Sequence, residues 1–231
     1  MSPRAVSLVP SLTETLFALG AGDDVVGITN FCIFPEGIER PRVGGTKTPD
    51  IARIRELRPD VVYVNVEENL KKHADAIGEF AKVIATEPKT IDDVKALIEM
   101  LGVNHGRDLK ARELIEAITD NRQPTTHFTF AVPIWKKPWM WCGGDTYVSN
   151  LVESMGGENL LRKHLRYPSM SVEEVMALKP DVVFLPDEPY AFIEDDAKVF
   201  NTKVIGPFPG HLFTWHGVRT IEGLRFLRRT L

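Results

Sequence analysis

Trp135, Trp139 and Trp141 fall within seven residues, and with Trp215 they are all four tryptophans of the chain. Tyr147, Tyr167, Tyr190 and Phe213 fall in the same C-terminal half. Aromatic faces stack on a large flat ligand at little cost in side-chain entropy. The same residues could instead plug the core of a small lobe. That loops rather than strands supply the tryptophans favours ligand contact.

The other reactive side chains are dispersed. His73, His105, His127, His164, His211 and His216 come without an HExxH pair or a CxxC motif. A dedicated zinc or manganese cage needs several His and carboxylate ligands converging, so most of these are expected at the surface or in hydrogen bonds. His211 is the one weak candidate as a metal ligand, because its loop should reach a cleft. Cys32 and Cys142 imply no disulfide framework and read as two reduced thiols in cleft loops, with a shared metal or redox role as the alternative. No GxSxG nucleophile elbow and no GxGxxG occurs, and Gly44-Gly45-Thr46-Lys47-Thr48 lacks the Gly-Lys-Ser/Thr spacing of a phosphate loop. No catalytic residue is assigned.

These residues must be positioned by a duplicated scaffold. Residues 54–64 return as 175–185, each copy a helix end, a Pro-Asp turn and an apolar strand, offset by 181 − 60 = 121 residues. That is too long for a solenoid repeat and is what two similar lobes would produce. Residues 16–22 parallel 151–157 in the same way. Strands are predicted at 5–9, 25–28, 61–66, 83–85, 126–132, 182–185 and 204–205, alternating with helices, as in parallel sheets covered by helices. Ser11-Leu12-Thr13-Glu14 and Ser171-Val172-Glu173-Glu174 read as capping boxes, and Thr48-Pro49 as an N-cap followed by proline at the first helical position. Thr146 to Met155 reads as a helix ended by Gly156-Gly157, residues 134–145 as a long loop, and 218–231 as a closing helix. Residues 90–123 carry a helical apolar stripe without a strand signal. One continuous helix of about 50 Å is expected, with two helices broken at 102–106 as the alternative. The fold class is therefore α/β, with lobes at 1–89 and 124–231 joined by a linking helix at 90–123 and a ligand cleft between them.

Composition excludes other classes. The 231 residues are 43% hydrophobic and 26% charged, with a net charge of −4, ordinary for a globular chain. No long basic run points to nucleic acid, and no apolar stretch reaches the roughly 20 residues of a membrane-spanning helix. The start at Met1-Ser2-Pro3-Arg4 leads directly into a predicted strand, which reads as cytoplasmic, or as periplasmic if a signal has been removed.

Taken in order, Pro10-Ser11-Leu12-Thr13-Glu14, Leu19-Gly20, Val26-Gly27, Val43-Gly44-Gly45, Leu57-Arg58-Pro59-Asp60, Gly156-Gly157-Glu158-Asn159 and Leu178-Lys179-Pro180-Asp181 resemble a known family. It is that of the helical-backbone (class III) substrate-binding proteins of ABC importers for cobalamin and ferric siderophores, nearest to its cobalamin binders. The resemblance covers nearly the whole chain. It implies non-catalytic binding of a cobalamin-like corrinoid, siderophore or haem in the interlobe cleft, for ABC-type uptake or intracellular carriage. It implies no intrinsic cofactor, an ABC permease as partner, and a monomer. The alternatives are a chelatase or corrinoid-processing enzyme using His211 or a cleft carboxylate as base, and a cytoplasmic ligand sensor. The ligand-contact candidates are Pro10, Ser11 and Thr13, with Phe31 and Phe34, from the first lobe. The second lobe supplies Trp135, Trp139, Trp141, Tyr167, Tyr190 and Trp215. Permease docking in the family uses an exposed acid on each lobe; Glu67-Glu68 and Asp187-Glu188 do not align securely with those positions and read first as solvated loop ends. Arg42 or Arg166 could pair an anionic ligand, with surface ion pairing as the plainer role.

Overall fold

The computed structural model describes residues 2–124 and 126–231, so the starting Met1 and Thr125 lie outside the described residues. By their contacts, Met1–Pro88, Val94–Ala117 and His216–Arg219 form one compact unit, and Lys89–Asp93, Ile118–Trp215 and Thr220–Leu231 a second.

The first unit runs β1 (Ala5–Ser7), α1 (Pro10–Ala18), β2 (Val25–Ile28), α2 (Ile51–Glu56), β3 (Val61–Asn65), α3 (Lys71–Gly78) and β4 (Lys82–Thr86). The strands form an all-parallel sheet in the order β2-β1-β3-β4. Their near-continuous apolar runs suit a sheet covered on both faces. Val6, Leu8, Val62 and Val64 pack with Ile54 and Ile77 from the helices into one buried cluster. A fully buried side chain of this size contributes about 1.5–3 kcal/mol.

Helix starts differ from two of the expected caps. α1 begins with Pro10 in its first turn and Val9 as N-cap, so Ser11 and Glu14 lie inside the helix rather than forming a capping box. Proline's preset φ and missing N–H suit that first turn, and they draw the start ahead of Ser11. α2 is capped by Asp50, whose carboxylate accepts from Arg53 N–H at 2.9 Å, and not by Thr48. Thr48 instead exchanges backbone hydrogen bonds with Gly45 in a tight turn, both at 3.2 Å.

The segment expected to be one helix is two: α4 (Ile91–His105) and α5 (Asp108–Asn121). Gly106 takes the left-handed conformation at φ +64, and Arg107 N–H closes the end on Gly102 O at 2.7 Å. Gly102 also permits the close approach of the second helix, since a Cβ there would stand 2.6 Å from that of Ala111. His105 fixes the stop. Its ring bonds Tyr63 Oη of β3 at 3.0 Å and Asp24 Oδ2 at 2.9 Å. Among the described residues no helix is long and apolar enough to cross a membrane.

The second unit contains β5 (Phe128–Ala131), β6 (Pro133–Trp135), β7 (Met140–Trp141), α6 (Tyr147–Glu153), β8 (Gly157–Asn159), α7 (Val172–Ala177), β9 (Val182–Pro186), α8 (Glu194–Ala197), β10 (Lys203–Phe208), α9 (His211–Thr214) and α10 (Thr220–Thr230). Its main sheet, β10-β9-β5-β8, is again all parallel. In reverse it reads β8-β5-β9-β10 and repeats the first sheet's order strand for strand, with the two repeat copies at β3 and β9. The capping box at Ser171 and Glu174 is present as expected. The loop expected at 134–145 holds the antiparallel hairpin β6-β7, and the Gly-Glu-Asn turn after α6 is the edge strand β8.

The duplicated Pro-Asp turns perform the same task twice. Asp60 Oδ2 accepts Arg4 N–H at 2.7 Å, and Asp181 Oδ2 accepts Thr129 N–H at 2.7 Å. Each carboxylate thus clips the start of the neighbouring central strand. The residue before each proline, Arg58 (φ 48) or Lys179 (φ 58), is left-handed.

Candidate functional site

In a parallel sheet all strands end on one edge, and the loops leaving that edge are where α/β folds hold ligands. In the second unit this edge carries hairpin β6-β7 after β5, residues 187–190 after β9, and 209–215 after β10. The chain at 166–170 runs beside the hairpin: Trp141 N–H donates to Pro168 O at 3.0 Å, Met170 N–H to Trp139 O at 3.2 Å, and Gly143 N–H to Arg166 O at 2.8 Å. Gly143 and Gly144 permit this, because a Cβ would stand 2.4 Å from His164 O and 2.2 Å from Arg162 O.

The tryptophans form a column that runs from core to solvent. Trp141 is fully buried, and its indole N–H donates to Met170 O at 3.0 Å. Trp139 stacks between Trp141 (centroids 5.9 Å, 25°) and Phe192 (5.6 Å, 12°), with Phe200 against its edge. Phe192 meets Tyr190 at 4.7 Å, and Tyr190 meets Trp135 edge-on at 5.4 Å. Trp135 is 42% exposed. Both readings of the cluster are therefore present at opposite ends. Trp141 is corrected from ligand contact to core, Trp139 is a half-buried spacer, and Trp135 keeps a face in solvent with the half-buried Tyr190 against it. The hairpin is pinned by Lys136, which pairs with the buried Asp196 of α8 and lies 5.7 Å from the Trp139 ring. Burial and the Lys136 ammonium act oppositely on Asp196, and the net effect holds its carboxyl below the usual range.

Trp215 and His211 form a second pair on the same edge, half-buried, with ring centroids 5.8 Å apart. Tyr167 is half-buried beneath the Arg166 guanidinium, 6.0 Å from its ring. Glu188 is not a solvated loop end: it is half-buried and accepts from Thr214 Oγ1 at 2.8 Å. Sequence reading missed Phe192 and Phe200 as partners of the column. The only available signal was their aromatic type near Tyr190, without helical or strand periodicity.

In the first unit the candidates separate. Pro10, Ser11 and Thr13 are buried in the first turns of α1. Thr13 Oγ1 contacts Val9 O at 3.1 Å and Cys32 Sγ at 3.1 Å, so its hydroxyl is engaged in the fold and unavailable to a ligand. Ser11 Oγ lies 3.4 Å from His216 Nε2, and burial pushes that imidazole down to about 4. Phe31 is 58% exposed in the loop after β2, whereas Phe34 is half-buried with the Arg219 guanidinium 4.1 Å over its ring. Arg219 also holds Glu14 by two bonds, one of them 3.0 Å long. Arg42 is spent on the same loop, donating to Thr29 O at 2.7 Å and Cys32 O at 2.9 Å. Cys32 and Cys142, expected in cleft loops, are buried. Burial pushes the Cys32 thiol up. Among the described residues no group of three or more His, Cys, Asp or Glu could hold a metal ion.

Two parallel sheets of matching strand order, each with its loops gathered on the C-terminal edge, define a duplicated α/β binding scaffold. The model of the family described as periplasmic binding protein matches residues 6–205, and the chain belongs to that family. Among individual proteins it is similar to the vitamin B12-binding protein of Vibrio vulnificus strain YJ016, 25% identical over 195 residues covering 79% of this chain and 70% of the relative. Two solved structures share the fold. The periplasmic vitamin B12 binding protein of Vibrio cholerae superposes with a TM-score of 0.77 at 20% identity, covering 98% of this chain and 95% of that one. A periplasmic heme-binding protein from Roseiflexus sp. RS-1 gives 0.82 at 21% identity, covering 98% and 97%.

Proposed function

We propose that this protein is a non-catalytic receptor for a planar metal chelate, a cobalamin-like corrinoid or haem before a siderophore. The observation that carries the reading is the aromatic column ending in the exposed Trp135 against Tyr190, on the same sheet edge as Trp215 and His211. Rings fixed by packing from behind offer a flat apolar face without further loss of entropy on binding. Relatives named as vitamin B12-binding and heme-binding proteins support the same class of ligand. In this reading the chelate rests on aromatic faces, with His211 beside Trp215 as a side chain suited to axial ligation, and the protein needs no cofactor of its own. It acts as a monomer and delivers its ligand to an ABC permease, or carries it within the cell.

Equilibrium dialysis against cobalamin, cobinamide, haem and a ferric siderophore tests the class. Retention of cobalamin, cobinamide or haem with micromolar or tighter affinity is expected. Failure to retain any of these three contradicts the proposal, and retention of the siderophore alone does so as well.

A further inference from the structure

The acidic pair that follows β9 meets the turn that follows β10. Asp187 Oδ1 accepts Gly210 N–H at 2.7 Å, and Asp187 N–H donates to Phe208 O at 2.9 Å. One residue on, Glu188 Oε1 accepts the Thr214 hydroxyl at 2.8 Å, and the Trp215 side chain donates to the same carboxylate. Gly210 leaves room for this: a Cβ there would stand 2.4 Å from Glu188 Cγ and 2.6 Å from its backbone N. Burial pushes the Glu188 carboxyl up, the charge of Asp187 adds to that, and the Thr214 and Trp215 donors oppose it. A half-buried carboxylate on which two donors from one turn converge is an anchor rather than a solubilising charge.

We infer that Glu188 is a positioning residue: by gripping Thr214 and Trp215 it fixes the 210–215 turn and so sets how Trp215 and His211 are presented. The purpose of the grip rests on the chelate-binding reading, whereas the grip itself exists without ligand. Preorganising these two rings would spare a ligand the cost of ordering them.

Trp215 fluorescence decides the matter, isolated as the difference between each protein and its Trp215→Phe counterpart. Glu188→Gln keeps the Oε1 acceptor for the Thr214 hydroxyl, so emission maximum and acrylamide quenching should stay close to the parent. Glu188→Ala should red-shift Trp215 emission and make it more readily quenched. Thr214→Val, which removes one of the two donors, should fall between. Affinity for whichever of cobalamin or haem the parent binds should drop about tenfold in Glu188→Ala and hardly change in Glu188→Gln. Parental Trp215 emission and quenching in both Glu188→Ala and Thr214→Val overturns the inference. So does a folded Glu188→Gln that behaves like the alanine variant. If the parent binds no chelate, the binding reading fails while the emission series still decides the anchor.

Discussion

Trp135 and Trp141 stand six positions apart, yet of the two only Trp135 keeps a face in solvent. Their replacements should therefore part company. Trp141→Ala removes a fully buried indole and its bond to Met170 O, and chemical denaturation should show a loss of about 3–5 kcal/mol. Trp135→Ala should cost about 1 kcal/mol or less in the same assay and act on ligand affinity instead. His216 sets a pH dependence of its own. Its folded pKa, pushed from 6.5 down to about 4, lies below the unfolded value. The unfolded chain therefore binds the proton first as pH falls. The stability linked to this group is fully present above pH 6.5 and is lost progressively towards pH 4, by about 3 kcal/mol in all. In His216→Asn, urea midpoints measured between pH 7 and 4 should fall less steeply than in the parent. An unchanged slope would contradict this assignment.

At the scale of elements, the two-helix segment turns on Gly106. With φ at +64, Gly106→Ala should destabilise the protein by about 1 kcal/mol, read as a lower urea midpoint at unchanged slope. The sequence announced helicity throughout 90–123, because Ile91, Val94, Leu97, Ile98 and Leu101 keep helical spacing. It could not show that His105 would be held by Tyr63 and Asp24, contacts made 42 and 81 residues away in the chain. Central strands were legible for a related reason: an apolar run such as residues 61–64 has no other stable place than a covered sheet. Edge strand β8 was not, since Gly-Glu-Asn has little strand propensity and is held by pairing with β5, where a Cβ on Gly157 would stand 2.8 Å from the Phe130 ring. The same distinction runs through the site. Aromatic type was visible in the sequence, but which ring ends in the core and which in solvent depends on packing against Phe192 and Phe200.

For the molecule as a whole, the duplication explains both the fold and its asymmetry. Each half uses a Pro-Asp carboxylate to clip a central strand, and Asp60→Asn and Asp181→Asn should each weaken the clip in their own unit. Hydrogen exchange should then rise at the amide clipped by the altered carboxylate, Arg4 N–H for Asp60→Asn and Thr129 N–H for Asp181→Asn. Increased exchange spread evenly over both sheets would contradict independent clips. What the halves do not share is the hairpin β6-β7, and it carries Trp135, Trp139 and Trp141. That inserted aromatic face is where the chelate should rest, and an absorbance titration tests this. Cobalamin and haem are each titrated with the parent protein and with the Trp135→Ala, Tyr190→Ala double variant. A saturable spectral change with the parent is expected for at least one chelate, and at least about tenfold weaker binding by the folded double variant. Equal binding by both proteins, or no spectral change with either chelate, would contradict it.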